Sequence, residues 1–304
     1  MRFEKLGCVF RAEGQRPWMA SHAQVPVAER IEGSLYRVYF TTRDAQNRSH
    51  IAWLEVDLAQ PSRILRLAER PLLGPGPAGA FDDAGAMTSW LVPHAGRRRF
   101  YYIGWNVRAT VPFQNAVGLA TCGTDTLPDS LERHAEGPIL DRSVDDPYFC
   151  SNPCVLLEAG RWRMWYLSGR AWSPLRGKLE PRYDVRHAES GDGLRWRPTG
   201  GACIPLAPGE LAIARPCVLR EAGRYRMWYC YRGEDFPYRM GYAESADGLA
   251  WTRMDADAGI EASPAGWDSG MIAYPFVFDH DGRRYMLYCG NDYSKAGFGL
   301  AVHA

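Results

Sequence analysis

Short apolar runs separated by glycine-containing turns recur along the whole chain of 304 residues. Each unit begins with two runs rich in Val, Tyr, Trp, Phe and Leu, the residue types that suit the pleated, packed surface of a β-sheet. The turn glycines between the two runs are Gly33, Gly96, Gly160, Gly223 and Gly282. They are 63, 64, 63 and 59 residues apart, and a proline or serine stands seven positions before each of them. The pattern predicts five copies of one strand–turn–strand unit.

A third apolar run follows in every unit, for example HIAWLEVD from His50. In the third and fourth units an Asp-Gly turn follows this run, in SGDGLRW from Ser190 and SADGLAW from Ser245. Each turn leads to a fourth strand that is expected to start at Trp196 or Trp251. Four strands in each of five units predict an all-β, five-bladed β-propeller with four-stranded antiparallel blades.

The two ends of the chain complement each other in this pattern. The last unit stops after its third strand at Ala304, and FEKLGCVFRA from Phe3 is a strand without a unit of its own. We therefore expect the N-terminal strand to complete the last blade, so that residues 1–304 form a single domain. The segment from Arg170 to Pro181 carries no strand pattern and is expected to be an irregular insertion that covers one face.

Composition narrows the classes of partner. The chain has 36 Lys and Arg against 35 Asp and Glu, a balance that argues against recruitment to nucleic acid or to a membrane surface by bulk charge. The N-terminus lacks the apolar core and cleavage site of a signal peptide, which predicts a cytoplasmic protein. The eight cysteines include no CxxC pair and are expected to be buried thiols. No zinc-ligand spacing or cofactor-binding motif is present, so no cofactor is predicted.

The first strand of each propeller blade lines the central channel, so chemistry is expected where these strands begin. Carboxylates stand six or seven positions before the marker proline or serine in four units: Asp82 and Asp83, Asp146, Glu210 and Asp268. Acids that converge on one channel raise one another's pKa, which suits acid/base chemistry at a glycosidic bond. Two alternatives stay open: each acid caps a turn or pairs with a neighbouring arginine, or the acids supply oxygen ligands for a Ca²⁺ ion in the channel.

Other candidates for substrate binding lie at the strand starts and at the ends of the second strands. Arg215 and Arg232 of one unit, with Arg43 as a third, are expected to face an anionic group, because an arginine fork binds carboxylate or phosphate. A candidate aromatic floor for a sugar consists of Trp105, Tyr148, Tyr231 and Tyr274. The remaining candidate binding residues are His22, Asn152 and Asn291.

The second strand YRMWY from Tyr225 and the S-x-D-G-x-x-W turns resemble those of the five-bladed glycoside hydrolase superfamily. That superfamily includes arabinanases, xylosidases, invertases and levansucrases, and the mannoside phosphorylases share its fold. The resemblance covers nearly the whole chain and implies a carbohydrate-active protein. Its characterised hydrolases place an Asp directly before the blade proline and a Glu two residues before it. The corresponding pairs in this chain contain no carboxylate: Val25 and Gln24, Asn152 and Ser151, Arg215 and Ala214.

Three hypotheses for function follow, all with a small-molecule or oligosaccharide ligand and without nucleic acid or membrane partners. The first is a glycosidase-like enzyme in which one of Asp83 and Asp268 protonates the leaving oxygen and the other acts as base or nucleophile. Glu210 is the alternative residue for the acid role. The second is a propeller that binds a glycan or nucleotide sugar without hydrolysis, and the third is a lyase or cyclase that works through Arg and Tyr. Two carboxyls about 5 to 9.5 Å apart across an open pocket would favour hydrolysis, whereas acids paired to arginines would favour binding.

Overall fold

A computed structural model describes residues 1–124 and 127–304, and the regular secondary structure of this part of the chain is almost entirely β-strand. Its strands are β1 (Phe3–Phe10), β2 (Ser21–Glu32), β3 (Leu35–Arg43), β4 (Ser49–Asp57), β5 (Ile64–Leu67), β6 (Gly85–His94), β7 (Arg97–Val107), β8 (Phe113–Gly123), β9 (Glu132–Arg133), β10 (Cys150–Glu158), β11 (Arg161–Leu175), β12 (Lys178–Ser190), β13 (Arg197–Pro198), β14 (Glu210–Glu221), β15 (Arg224–Gly233), β16 (Arg239–Ser245), β17 (Thr252–Arg253), β18 (Ala273–His280), β19 (Arg283–Cys289) and β20 (Phe298–His303). Two short helical segments, a 3-10 turn (Asp255–Asp257) and α1 (Asn291–Ser294), interrupt the strands near the C-terminal end.

The strands pair into one four-stranded and two eight-stranded sheets. Each eight-stranded sheet consists of two four-stranded antiparallel groups that a single parallel residue pair joins, Ser49 with Gly85 in one sheet and Tyr183 with Ala212 in the other. Gly85 makes the first of these contacts possible, because a Cβ atom there would lie 2.3 Å from the backbone nitrogen of Ser49. The predicted four-stranded unit therefore recurs as β2–β5, β6–β9, β10–β13, β14–β17 and, with β1, β18–β20, called units 1 to 5 below.

The N-terminal strand completes the last unit, as predicted. β1 runs antiparallel to β20, with Phe3 opposite His303 and Phe10 opposite Phe298. The backbone nitrogen of Phe3 also donates to the carbonyl of Gly259 at 2.7 Å, which ties β1 to the loop that leads into unit 5.

The first strands of the units pack against one another in a ring. β2 contacts β6, β6 contacts β10, β10 contacts β14, β14 contacts β18, and β18 contacts β2 again. The second strands behind them supply fully buried aromatic side chains such as Trp165 and Trp228. Because the five strands form a ring, the residues at which they begin face one common space.

An irregularity recurs in each first strand beside the marker proline. The register with the second strand shifts there in every unit. In units 1, 3, 4 and 5 the residue before the proline has a φ in the left-handed region: 52° for Val25, 46° for Asn152, 55° for Arg215 and 54° for Tyr274. Residues other than glycine seldom adopt such a φ, and the backbone strain that it causes is often found at functional sites. The bulges thus mark the strand starts as candidate site positions.

The expectation of an irregular insertion over residues 170–181 is wrong. β11 and β12 continue through this segment as an extended hairpin, paired as far as Leu175 with Lys178. Arg176 and Gly177 form its tip with positive φ angles of 49° and 77°. The alternation of polar and apolar residues is poor here because the hairpin projects beyond the sheet core, so its sequence lacks the usual strand signal.

The fourth strands of units 3 and 4 are shorter than their sequence pattern suggests. β13 and β17 contain two residues each and begin one position after Trp196 and Trp251.

All eight cysteines are free thiols and six of them are buried, which confirms the predicted thiol state and, for those six, the predicted burial. In the part of the chain that the structure describes, no helix has the length and apolar character that crossing a membrane would require.

Candidate functional site

A cavity of about 830 Å³ lies where the five first strands begin. Every unit contributes to its floor through the residues next to the marker position: Gln24, Val25, Met87, Ser151, Asn152, Ala214 and Tyr274. The channel mouth predicted from the sequence therefore exists as a cavity. Of the predicted binding residues, those that line it are Arg43, Trp105, Asn152, Arg232 and Tyr274.

The walls come from the ends of the second strands and from two covering segments. One cover is the connection between β7 and β8, residues 108–112, and the other is the hairpin of β11 and β12. Aromatic rings line much of the space: Trp105, Phe113, Phe149, Trp172, Tyr183, Tyr238, Tyr274 and Tyr293. The hairpin residues Trp172 and Glu180 were not among the predicted binding residues, since a segment interpreted as irregular gives no indication of which side chains it directs inward.

Arg43 carries a positive charge at this site without an acidic partner. Its Nη1 donates to Asn47 Oδ1 at 2.8 Å and its Nε to Gln24 Oε1 at 3.4 Å. Its guanidinium lies 5.6 Å from the ring centroid of Trp105. No carboxylate of the described residues lies within ion-pair distance of it, and burial lowers its pKa. Because the guanidinium stays charged in proteins, Arg43 is a candidate anion ligand.

Arg232 lies across the cavity and is paired. Its Nη2 is 3.0 Å from Glu180 Oε2, and its guanidinium lies 5.9 Å from the ring centroids of Tyr183 and Tyr238. Glu180, on the covering hairpin, is the one carboxylate among the described residues that line the cavity. The ion pair therefore links a wall of the cavity to its cover.

Tyr183 and Tyr238, which lie beside Arg232, form a cluster with two further tyrosines. The hydroxyls of Tyr183 and Tyr238 are hydrogen-bonded to each other, and the Tyr238 ring packs against Tyr274 and Tyr293 at centroid distances of 5.7 and 6.1 Å. Burial raises the pKa of Tyr238 and of Tyr274 well above the ordinary value for a phenol. These hydroxyls are therefore protonated at neutral pH and can donate hydrogen bonds, whereas a phenolate base is disfavoured.

The predicted catalytic acids lie outside this cavity. Asp82, Asp146 and Asp268 are buried, and each accepts a hydrogen bond from the tyrosine 20 residues later in its own unit. The pairs are Tyr102 with Asp82 at 3.0 Å, Tyr166 with Asp146 at 2.9 Å and Tyr288 with Asp268 at 3.0 Å. Each acid thus connects the loop that leads into a first strand with the second strand of the same unit.

In units 2, 4 and 5 a basic residue of the fourth strand binds the acid of its own unit. Arg133 of β9 lies 2.8 Å from Asp82, and Lys5 of β1 lies 2.6 Å from Asp268. Arg253 of β17 binds both oxygens of Glu210, at 2.8 and 2.5 Å. These contacts cross a whole four-stranded unit, and we call them the acid staples.

Asp83 and Asp146 complete the set of five acids. Asp83 is half-buried and accepts the backbone N–H of Gly79 at 3.0 Å, which caps a turn. Asp146 has no basic side chain within ion-pair distance in the described residues, and Pro198 occupies the place in β13 that Arg133 and Arg253 occupy in their units. None of the five acids lines the cavity. The expectation that they converge at the channel mouth is wrong, because each is held inside its own unit.

The joint anion clamp of Arg215 and Arg232 also needs correction. Arg215 is fully buried, and its Nη1 donates to the carbonyl of Ser89 at 2.6 Å while its Nη2 donates to that of Pro26 at 3.3 Å. Its guanidinium lies 5.4 Å from the Trp90 ring. The side chain points into the ring of first strands, toward the carbonyls of β2 and β6, and so it does not line the cavity.

Four further predicted binding residues lie away from the main cavity. Tyr148 is 39% exposed, and Tyr231 packs its ring 4.7 Å from the Arg253 guanidinium. Asn291 holds a loop, because its Oδ1 accepts the backbone N–H of Gly270 at 2.7 Å. His22 lines a smaller neighbouring cavity. The described residues contain no cluster of three His, Cys, Asp or Glu side chains that could hold a metal ion.

Two proteins of Mycobacterium tuberculosis are similar to the chain over its whole length. Uncharacterized protein MT1551, of strain CDC 1551, and Uncharacterized protein Rv1502, of strain H37Rv, are each 43% identical over 303 residues, which is 99% of this chain and 99% of theirs. No family model matches the chain.

Solved structures with the same fold are glycoside hydrolases and their relatives. A GH130 structure, from a family of mannoside phosphorylases that contains glycoside hydrolases for β-1,2 mannosidic linkages in Candida mannan, aligns with a TM-score of 0.73 and 15% identity over 99% of this chain and 93% of that one. The complex of BT0996 with RGII gives a TM-score of 0.72 and 19% identity over 98% and 90%. A thermostable family-43 glycoside hydrolase gives 0.65 and 16% over 93% and 89%. The chain thus belongs to one family with the two mycobacterial proteins, and its fold is that of the propeller-type glycoside hydrolases.

Proposed function

We propose that this protein is a closed five-bladed β-propeller that binds an anionic carbohydrate in the cavity at its channel mouth, without two-carboxylate hydrolysis. The observation that carries the proposal is the composition of the cavity: its described lining combines several aromatic rings, an arginine that has no acidic partner there and a single carboxylate. The ring of first strands and the pairing of β1 with β20 support the closed five-bladed architecture.

The cavity suits a sugar ligand in size and lining. Its volume of about 830 Å³ lies in the range of small-molecule sites. Aromatic rings offer apolar faces to the C–H surface of a sugar, and Trp105 and Trp172 are available for this contact. Asn115, Ser151 and Asn152 add amide and hydroxyl groups that can bond sugar hydroxyls.

The charge of the cavity favours an anionic sugar. Four basic residues line it, Arg43, Arg108, Lys178 and Arg232, against the single carboxylate of Glu180. The whole chain has a net charge of only +1, so positive charge is concentrated at this site. A uronate, another acidic sugar or a sugar phosphate would supply the missing counter-charge.

Hydrolysis would need a second carboxylate that faces the same bond as the first. The positions that hold acids in the characterised hydrolases are Gln24, Val25, Ser151, Asn152, Ala214 and Arg215 here. Glu180 is bound to Arg232 at 3.0 Å. Of the five predicted acids, three are bound in the staples, Asp146 is bound by Tyr166, and Asp83 caps a turn. This distribution favours the binding hypothesis over the glycosidase-like one.

Thermal unfolding in the presence of ligands tests the proposal, because a ligand that prefers the folded state raises the melting temperature. The panel contains neutral sugars, uronates, sugar phosphates and nucleotide sugars. We expect a shift with an anionic sugar, its loss in Trp105→Ala, and its retention in Arg220→Gln, a substitution of an arginine whose side chain is 53% exposed on the outer surface. Release of a cleaved sugar that stops in both Asp83→Asn and Asp268→Asn would overturn the proposal in favour of hydrolysis.

A further inference from the structure

A side cavity of about 370 Å³ adjoins the main cavity between units 1 and 5. The two cavities share the residues Gln24, Arg43, Asn47 and Tyr293. The side cavity adds His22, Asp292 and Lys295. A ligand in the main cavity can therefore extend into the side cavity past Arg43.

Arg43 lies where the two cavities meet, and one of its nitrogen donor groups is not used by the described residues. Amide oxygens of Asn47 and Gln24 take its Nη1 and Nε groups at 2.8 and 3.4 Å. Within the described residues no acceptor is bonded to its Nη2 group. The two amides fix the guanidinium without neutralising its charge, so the orientation is prepared for an anion that the protein itself does not provide.

Donors reach the side cavity from three separate parts of the chain. Arg43 comes from the end of β3, His22 from the start of β2, and Lys295 from the segment after α1. Burial, with Arg43 and Lys295 nearby, lowers the pKa of His22 to about 4, so its ring is neutral at pH 7 and can donate only through one nitrogen. Asp292, the carboxylate of this cavity, is exposed.

The backbone around the side cavity is strained. Four of its seven lining residues are non-glycine residues with φ in the left-handed region: His22 at 62°, Asn47 at 63°, Asp292 at 55° and Tyr293 at 53°. Gln24 holds the last of these segments, because its Nε2 donates to the Tyr293 carbonyl at 2.6 Å. Strain of this kind is found at ligand-binding sites, where it fixes side chains in one arrangement.

We propose that the side cavity is a phosphoryl subsite, in which Arg43 and Lys295 bind the phosphoryl oxygens while the sugar lies against the rings of the main cavity. A phosphoryl group has three terminal oxygens that point in different directions, which suits donors from three directions, whereas a carboxylate offers two oxygens in one plane. The ligand class is thus a sugar phosphate, a monoester whose phosphorus carries three terminal oxygens. This inference rests on the proposed function and specifies its ligand.

Isothermal titration calorimetry with four matched ligands tests the subsite: a hexose, its uronate, its 1-phosphate and inorganic phosphate. We expect the hexose 1-phosphate to bind at least tenfold more tightly than either the hexose or the uronate. Lys295→Met and Arg43→Gln should each weaken binding of the phosphate ester about tenfold, and Lys295→Met, which lies outside the main cavity, should leave the affinity for the hexose unchanged. Lys295 is exposed, so its variant tests the site even where Arg43→Gln disturbs folding. Arg220→Gln is the charge-matched control and should bind all four ligands as the unaltered protein does.

The outcomes separate the two proposals. A uronate that binds more tightly than the phosphate ester would overturn the phosphoryl subsite and leave the anionic-sugar function intact. Inorganic phosphate that binds through Lys295 while no sugar adds affinity would support the subsite and contradict the sugar-binding function. Affinity for the phosphate ester that is unchanged in both Lys295→Met and Arg43→Gln would overturn the subsite directly. Tighter binding of a nucleoside diphosphate sugar, whose phosphorus atoms carry only two terminal oxygens each, than of the 1-phosphate would overturn the assignment to a phosphate monoester.

Discussion

The acid staples and the cavity use the same kinds of side chain in opposite ways. In the staples, carboxylates recur at matching positions in units 2 to 5, and three of them are bound by a basic residue of the fourth strand. In the cavity, the matching positions of units 1, 3 and 5 carry Val25, Asn152 and Tyr274, which share no chemistry, and the corresponding Arg215 of unit 4 points away from the cavity. A residue type that repeats in four of the five units meets a need that these units share, namely to hold their strands together. A single ligand needs different groups on different sides, so in this fold the binding residues are found where the repeats differ.

The largest expected effect is on a staple. Arg253→Met leaves Glu210 buried without its partner, and breaking a buried pair in this way costs about 3 to 5 kcal/mol. Chemical denaturation should show this loss in the free energy of unfolding. Sugar affinity of the folded variant should be unchanged, and a loss of binding without a loss of stability would contradict the division between staple and cavity.

The next effect concerns the pH dependence that His22 gives to stability. Its pKa in the folded protein is about 4, below the ordinary 6.5. Between these two pH values the unfolded state therefore binds a proton that the folded state does not bind. Stability is therefore lost as pH falls from about 6.5 to 4, by at most about 3 kcal/mol. His187, whose pKa burial lowers to about 3, adds to the same trend.

His22→Gln isolates the contribution of the cavity. Denaturation at pH 7 and pH 5 should show a smaller loss of stability on acidification than in the unaltered protein. The matched control is His303→Gln, which alters a histidine at the end of β20. An equal loss in all three proteins would show that His22 is not excluded from protonation in the fold.

Arg43→Gln tests the same division between staple and cavity with a cavity residue. Because Arg43 is not part of an ion pair with the described residues, its removal should change the free energy of unfolding by no more than about 1 kcal/mol. Affinity for the anionic ligand should fall about tenfold, which corresponds to about 1.4 kcal/mol. A large loss of stability with unchanged affinity would place Arg43 among the structural residues.

The smallest effect is expected at Asp146, the acid without a cation. Asp146→Asn keeps the hydrogen bond from Tyr166 and removes a buried charge that no basic partner compensates. We expect a change in stability within about 1 kcal/mol, against about 2 kcal/mol lost in Asp268→Asn, where Lys5 loses its partner. Equal losses in the two variants would show that the fourth-strand cation contributes nothing.

Much of the fold could be predicted from the sequence, and little of the site. The unit spacing, the strand order and the pairing of β1 with β20 all follow from apolar runs and turn glycines, which depend on local chain chemistry. The acids were assigned to the wrong environment because their partners, such as Arg133 for Asp82, lie about 50 residues away in the sequence. Glu180 and Trp172 were missed for a different reason, because a hairpin outside the core shows little periodicity.

The pairing of β1 with β20 has a consequence for how the chain reaches its folded state. The partners Phe3 and His303 stand at opposite ends of the sequence, and Lys5 meets Asp268 across a separation of 263 residues. Closing so long a loop carries a large entropic cost, and contacts of this range form slowly. During folding, β1 has no partner strand until β20, at the far end of the described strand order, is in place. During that interval its free edge can pair with the unit 5 of a second copy, so the refolding yield should fall as protein concentration rises.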